Sequence, residues 1–168
     1  MKMLFAVLTC LALSLANAQN FTPISVDKLE QFTEARNDTI YVFNFWATWC
    51  KPCIEEMPYF EQLQEKYADQ PLRVIFVSVD INEHVDSRLK PFLKKKKLKC
   101  SVFQINEGKP NNWIDRIDPS WSGAIPATLI VSNPRGYRKF FEKEFTFDEL
   151  ETVSDTHLTL PTSCAVWG

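Results

Sequence analysis

The chain has 168 residues, 45% apolar and 13% aromatic, which is enough for one domain with a substantial core. Against 21 acidic side chains stand 19 basic ones, a formal net charge of -2 that carries no electrostatic footprint for nucleic acid. Charge concentrates only in the lysine run at 94–97.

Taken in chain order, the first segment reads as an export signal. Lys2 supplies positive charge, residues 4–15 are an apolar run, and Ala16-Asn17-Ala18 has the small-x-small spacing of a signal-peptidase site. Cleavage is expected after Ala18, so residues 1–18 form a signal peptide and the mature domain starts at Gln19. An uncleaved membrane anchor is the alternative, but the run falls short of the roughly 20 apolar residues that span a bilayer. Lipidation at Cys10 would call for a smaller residue before it than Thr9. Export sets an oxidising compartment, the periplasm or the cell exterior.

Ser25 is placed to cap a helix reaching about Arg36, with Asn37-Asp38 as its stop. Residues 39–47, TIYVFNFWA, are β-branched and aromatic and read as a buried strand. Ile54, Met57, Phe60, Leu63 and Tyr67 recur at helical steps, so a helix follows, with Pro58 expected to kink it. LRVIFVSVD (72–80) is a second buried strand, followed by a helix over about 86–97. A short strand at 101–105 and a helical turn at 111–117 come next. ATLIVS (127–132) and YRKFFEKE (137–144) flank the turn Asn133-Pro134-Arg135-Gly136 and read as a hairpin. Thr146 then opens a helix with Phe147 and Leu150 on one face. Alternating strands and helices ending in a hairpin imply a mixed sheet covered on both faces.

The chemistry concentrates in NFWATWCKPCIEEMP (44–58), where two thiols sit at a strand-to-helix corner. In an oxidising compartment such a pair is a structural disulfide, half of a metal site or an exchange centre. No second CxxC or pair of histidines completes a tetrahedral metal shell. Cys50 at the helix start faces unpaired backbone N–H groups and the positive end of the helix dipole, which favour its thiolate. Cys53, one turn inside, is less accessible, an arrangement of attacking and resolving thiol.

FWATWCKPC, followed by Glu56 and Pro58 and much later by IPATLIV, resembles the exported TlpA/ResA-type thiol:disulfide oxidoreductases of the thioredoxin superfamily. The resemblance covers about residues 40–151. It implies an α/β, three-layer thioredoxin-like fold with a mixed central sheet flanked by helices. It further implies Cys50 as nucleophile, Cys53 as resolving thiol, and Pro126 as a cis-proline facing the disulfide. Trp46 and Trp49 match the aromatic positions before the motif. Trp49, Pro52, Ile125 and Pro126 are the expected substrate-binding residues.

Cytosolic members carry a buried aspartate where this chain has Asn44, and an amide cannot take a thiol's proton. Glu56 is the expected substitute, a carboxyl whose pKa rises on desolvation and which can shuttle a proton. The duller reading makes it a solvated helix residue. The resemblance also implies disulfide-bearing client proteins and a membrane thiol electron donor. The expected cofactor is none beyond the redox-active pair itself, and the expected state is a monomer. A net oxidant, or a copper- or haem-handling thiol protein, are the rival functions.

Other features have bland readings. His84 is read as solvated, the lysine run as an exposed helix face, and Cys100 as a buried small hydrophobe. Trp113 and Trp121 are read as core, with a partner groove as the alternative. From Asp155 onward, DTHLTLPTSCAVWG has neither helical nor strand period. Residues 155–168 are therefore read as a non-native tail resembling translated adapter or read-through sequence, with a real extension as the alternative, and the thioredoxin-like domain as 19–154.

Overall fold

Residues 21–158 are described by the computed structural model; the signal-peptide segment, Cys10, Cys164 and the tail beyond Leu158 lie outside them. Six strands and five α-helices alternate along this stretch. They are β1 (Thr22–Ile24), α1 (Val26–Thr33), β2 (Ile40–Trp46), α2 (Lys51–Lys66), β3 (Leu72–Ser78), α3 (Lys90–Lys96), β4 (Ser101–Ile105), α4 (Ile114–Ile117), β5 (Ala127–Ser132), β6 (Tyr137–Phe141) and α5 (Phe147–Leu158).

The strands form one sheet in the order β1-β4-β3-β2-β5-β6. β1, β4, β3 and β2 run parallel, and β5 and β6 enter antiparallel. This is the α/β mixed sheet that the alternating pattern implies.

Strand alternation divides the core between two faces. Along β2, Val42 and Trp46 pack on one side with Met57, Phe60 and Leu63 of α2, while Phe43 and Phe45 pack on the other with Leu29, Trp113 and Trp121. Asn44 shares the face of Val42 and Trp46, and so looks toward α2. Each fully buried large side chain stabilises the fold by about 1.5–3 kcal/mol. α2 continues through Pro58, because burial of Met57, Phe60 and Leu63 holds the turns on either side against the sheet. Tyr67 at its end donates to Glu151 Oε1 of α5 (3.0 Å), and Lys66 forms an ion pair with the same carboxylate.

Some elements depart from the expected bounds for local reasons. β1 is too short, and too interrupted by Pro23, to show strand alternation; its pairing with β4 is a tertiary event. α1 ends at Thr33, because Asn133 reaches across and donates to the carbonyls of Thr33 (2.8 Å) and Ala35 (2.9 Å). The helix expected over 86–97 starts as a wide π-type turn (Val85–Leu89) before α3. Pro91 has no N–H to return to Ser87, so the regular ladder cannot form there. α5 opens with a reciprocal cap, Thr146 N–H to Glu149 Oε2 (3.0 Å) and Glu149 N–H to Thr146 Oγ1 (3.4 Å), and continues past Ser154 to Leu158.

The topology brings two distant segments together. Antiparallel pairing of β2 with β5 sets Phe45 against Ala127, so the start of β5 lies beside the end of β2. Whatever follows β2 therefore meets whatever precedes β5.

Candidate active site

After Trp46 the chain leaves the sheet and enters α2 within a few residues, and this corner is held from beneath by Asp80. The buried Asp80 carboxylate accepts from Thr48 N–H (2.9 Å), Thr48 Oγ1 (2.7 Å) and Ser78 Oγ (2.9 Å). The Cys50 N–H donates to Ala47 O at 3.1 Å, closing the turn. Cys50 is then the N-cap of α2, and the Cys53 N–H points at its sulfur at 3.3 Å. The two sulfurs are joined as a disulfide. Both are buried, Cys50 at 5% exposure and Cys53 at 0%. Of the two sulfur-bearing residues, Cys50 is thus the one with any opening to solvent.

From the other side comes the segment before β5. Ile125 O lies 3.8 Å from Cys50 Sγ, and the Ile125–Pro126 bond is cis. Trp49, 61% exposed, stands over the corner, and Pro52 occupies the first turn of α2. All the residues expected from the motif converge here.

Glu56 is not a solvated helix residue; it is 2% exposed. It lies three residues after Cys53 on the same buried face of α2. Asn44 Nδ2 donates to its Oε1 (2.8 Å) and the Phe145 N–H to its Oε2 (2.8 Å). Burial outweighs these two donors and pushes its pKa up to about 7. Asn44, read from sequence only as a lost proton acceptor, is the residue that holds the Glu56 carboxyl in place. Cys100 is buried and free, and burial raises its thiol pKa, so it is protonated and inert.

Against Trp49 and Ile125, the neighbours of the disulfide, opens a cavity of about 290 Å³, walled also by Trp113 and Trp121, with His84 and Asn111 among its polar lining groups. Trp113 and Trp121 are therefore core residues that also present a surface, their indole N–H groups satisfied by Glu107 O (3.0 Å) and Ala124 O (2.8 Å). His84 is half-buried against this cavity, contrary to its reading as a solvated loop residue, because the 79–84 segment folds back beside Trp49. Sequence reasoning passed over Asp80. Its place directly after a buried strand, where α/β proteins put their functional groups, was the available signal. Among the described residues, no group of three or more His, Cys, Asp or Glu side chains is arranged to hold a metal ion. No helix among them is long and apolar enough to cross a membrane.

The chain is similar to known proteins in sequence and in fold. ResA, a thiol-disulfide oxidoreductase of a Bacillus cereus strain, is 42% identical over 109 residues, 64% of this chain and 57% of that protein. The chain spans between 32% and 57% of the length of two ResA relatives that it matches. Among solved structures, a thiol:disulfide interchange protein of Chlorobium tepidum TLS aligns with a TM-score of 0.60 at 20% identity, covering 82% of this chain and 92% of that one. A secreted thiol-disulfide isomerase from Corynebacterium glutamicum aligns with a TM-score of 0.60 at 17% identity, covering 79% and 75%. Both carry the fold described above. The AhpC/TSA family model matches residues 13–136, and with most of the chain inside that match, this protein belongs to the AhpC/TSA family and has the thioredoxin-like fold.

Proposed function

We propose that this chain is an exported thiol:disulfide oxidoreductase that reduces disulfides of client proteins in the cell envelope. The observation that carries the reading is the Cys50–Cys53 pair at the start of α2, with Cys50 beside the Ile125 carbonyl and the cis Ile125–Pro126 bond. Relatives named ResA support the activity. The apolar, cleavable pattern of residues 1–18 supports export, in keeping with a fold neighbour described as secreted.

In the reduced state the Cys50 thiolate is favoured by the N-terminus of α2, where the Cys53 N–H already points at its sulfur. It attacks one sulfur of a client disulfide. A Cys50–client bond forms, the client S–S bond breaks, and the first client sulfur leaves as a thiolate. The client segment lies extended along residues 125–126. Cys53 loses its proton to Glu56 and attacks Cys50 Sγ, forming Cys50–Cys53 and releasing the second client thiolate. The client gains two electrons and the pair loses them. A dithiol donor at the membrane restores the reduced state, so the electrons need no carrier other than the two cysteines. Trp49 and Pro52 flank the path of the client at the corner.

Replacing Cys53 by Ala tests the order of events. The first attack survives and resolution does not, so Cys53→Ala accumulates mixed disulfides with clients, seen as reducible adducts on non-reducing gels. Cys50→Ala accumulates few or none. Equal trapping by both variants would remove Cys50 from the role of nucleophile.

A further inference from the structure

Glu142, a carboxylate just beyond the end of β6, has no task in the proposed mechanism. It is solvent-exposed, yet three donors from one short loop converge on it. Its Oε1 accepts from Ser122 Oγ (2.5 Å), Ser122 N–H (3.1 Å) and Ala124 N–H (2.9 Å), and the Ser122 N–H also lies 3.4 Å from Oε2. The Ser122 hydroxyl, with both amides, keeps the carboxyl below the usual glutamate range, so the acceptor stays ionised.

The loop so held spans residues 121–125. It turns through Gly123 at φ +95°, a conformation that costs glycine little and other residues more. Trp121 closes it by donating to Ala124 O at 2.8 Å. At its end stands Ile125, whose carbonyl faces Cys50. Three residues after Glu142, the Phe145 N–H donates to the buried Glu56. The segment 142–145 thus grips the loop at one end and the buried acid at the other.

We propose that Glu142 is a positioning residue for client docking, fixing the 121–125 loop so that the Ile125 edge is presented beside Cys50 for a client backbone to pair with. The proposal rests on the oxidoreductase reading and deepens it. Glu142 touches neither the sulfurs nor the client. Its effect is on the shape of the docking edge and not on the reactivity of the thiol.

Stopped-flow oxidation of the reduced full chain separates these effects. Insulin is the protein disulfide, and cystamine, too small to pair along the loop, reports the thiol itself. For Glu142→Ala the half-saturating insulin concentration should rise about tenfold, as expected from losing charge-assisted bonds worth about 1.4 kcal/mol. The limiting rate, and the rate with cystamine, should stay within about twofold. Glu142→Gln should recover part of the loss, since an amide oxygen still accepts. Ser122→Ala added to Glu142→Ala should have little further effect, because the two share one interaction. An unmoved half-saturation for insulin, or a parallel fall with cystamine, would overturn the proposal while leaving the oxidoreductase reading intact. A wild-type chain oxidised by neither disulfide would overturn both.

Discussion

Glu56 is ionisable, buried, and supplied with two hydrogen bonds that favour its charge, and still its pKa rises to about 7. Two donors therefore do not replace the hydration lost in a face packed with Phe60 and Met57. The consequence for stability has a definite sign. Between about pH 4.5 and 7 the folded chain holds a proton that the unfolded chain has released. The stabilisation from this group is full below about pH 4.5, falls as pH rises through that window, and is gone above about pH 7. Its size is of the order of 3 kcal/mol. Glu56→Gln should flatten this part of the pH dependence, which urea midpoints measured at pH 5 and pH 8 would show. If Glu56 takes the proton of Cys53 as proposed, the same variant should slow client reduction by about 10²-fold, and should lower the apparent thiol pKa values by removing a nearby negative charge. Unchanged rates from pH 5 to 9 would leave Glu56 with a structural role only. The acid was legible in the sequence, since i,i+3 spacing on a helix sets it next to Cys53. Its hold on Asn44 follows from combining that spacing with the period of β2. Its bond to Phe145 was not legible, because nothing local links positions so far apart.

At the scale of elements, the corner between β2 and α2 depends on a residue of neither. Asp80 fixes Thr48 by backbone and side chain, and through it the position at which Cys50 caps α2. Asp80→Asn keeps the shape but replaces one acceptor oxygen by a donor, facing a buried N–H or hydroxyl with the wrong partner. It should cost about 1–3 kcal/mol of unfolding free energy in urea and slow the attack of Cys50 on cystamine. A variant of wild-type stability and reactivity would show that the corner holds itself. Thr146→Ala, which breaks the reciprocal cap of α5, should cost about 1 kcal/mol and leave the reaction rate alone. The long elements were readable because their periodicity is also their burial pattern, as in β2, β3 and α2. What escaped was set by distant partners: β1 by β4, the end of α1 by Asn133, and the cavity wall by tryptophans drawn from separate turns. The π-type turn before α3 had a local cause in Pro91 that a helical reading of 86–97 overlooked.

The whole molecule turns a sheet order into a reaction site. With β2 central, and β5 antiparallel to it, the carboxyl end of one strand and the start of the other meet at a single edge of the sheet. Cys50 follows the first and Pro126 precedes the second. Both directions of electron flow use the same two sulfurs, so the direction is set by the relative stability of the oxidised and reduced pair. Equilibration of the full chain with thiol buffers of known poise, with the Cys50–Cys53 pair quantified by alkylation, gives its reduction potential. A reductase needs a stable oxidised form, so the potential should lie below about -220 mV, toward the thioredoxin end of the range. A value near -120 mV, roughly that of a strong disulfide oxidant, would contradict the reducing assignment.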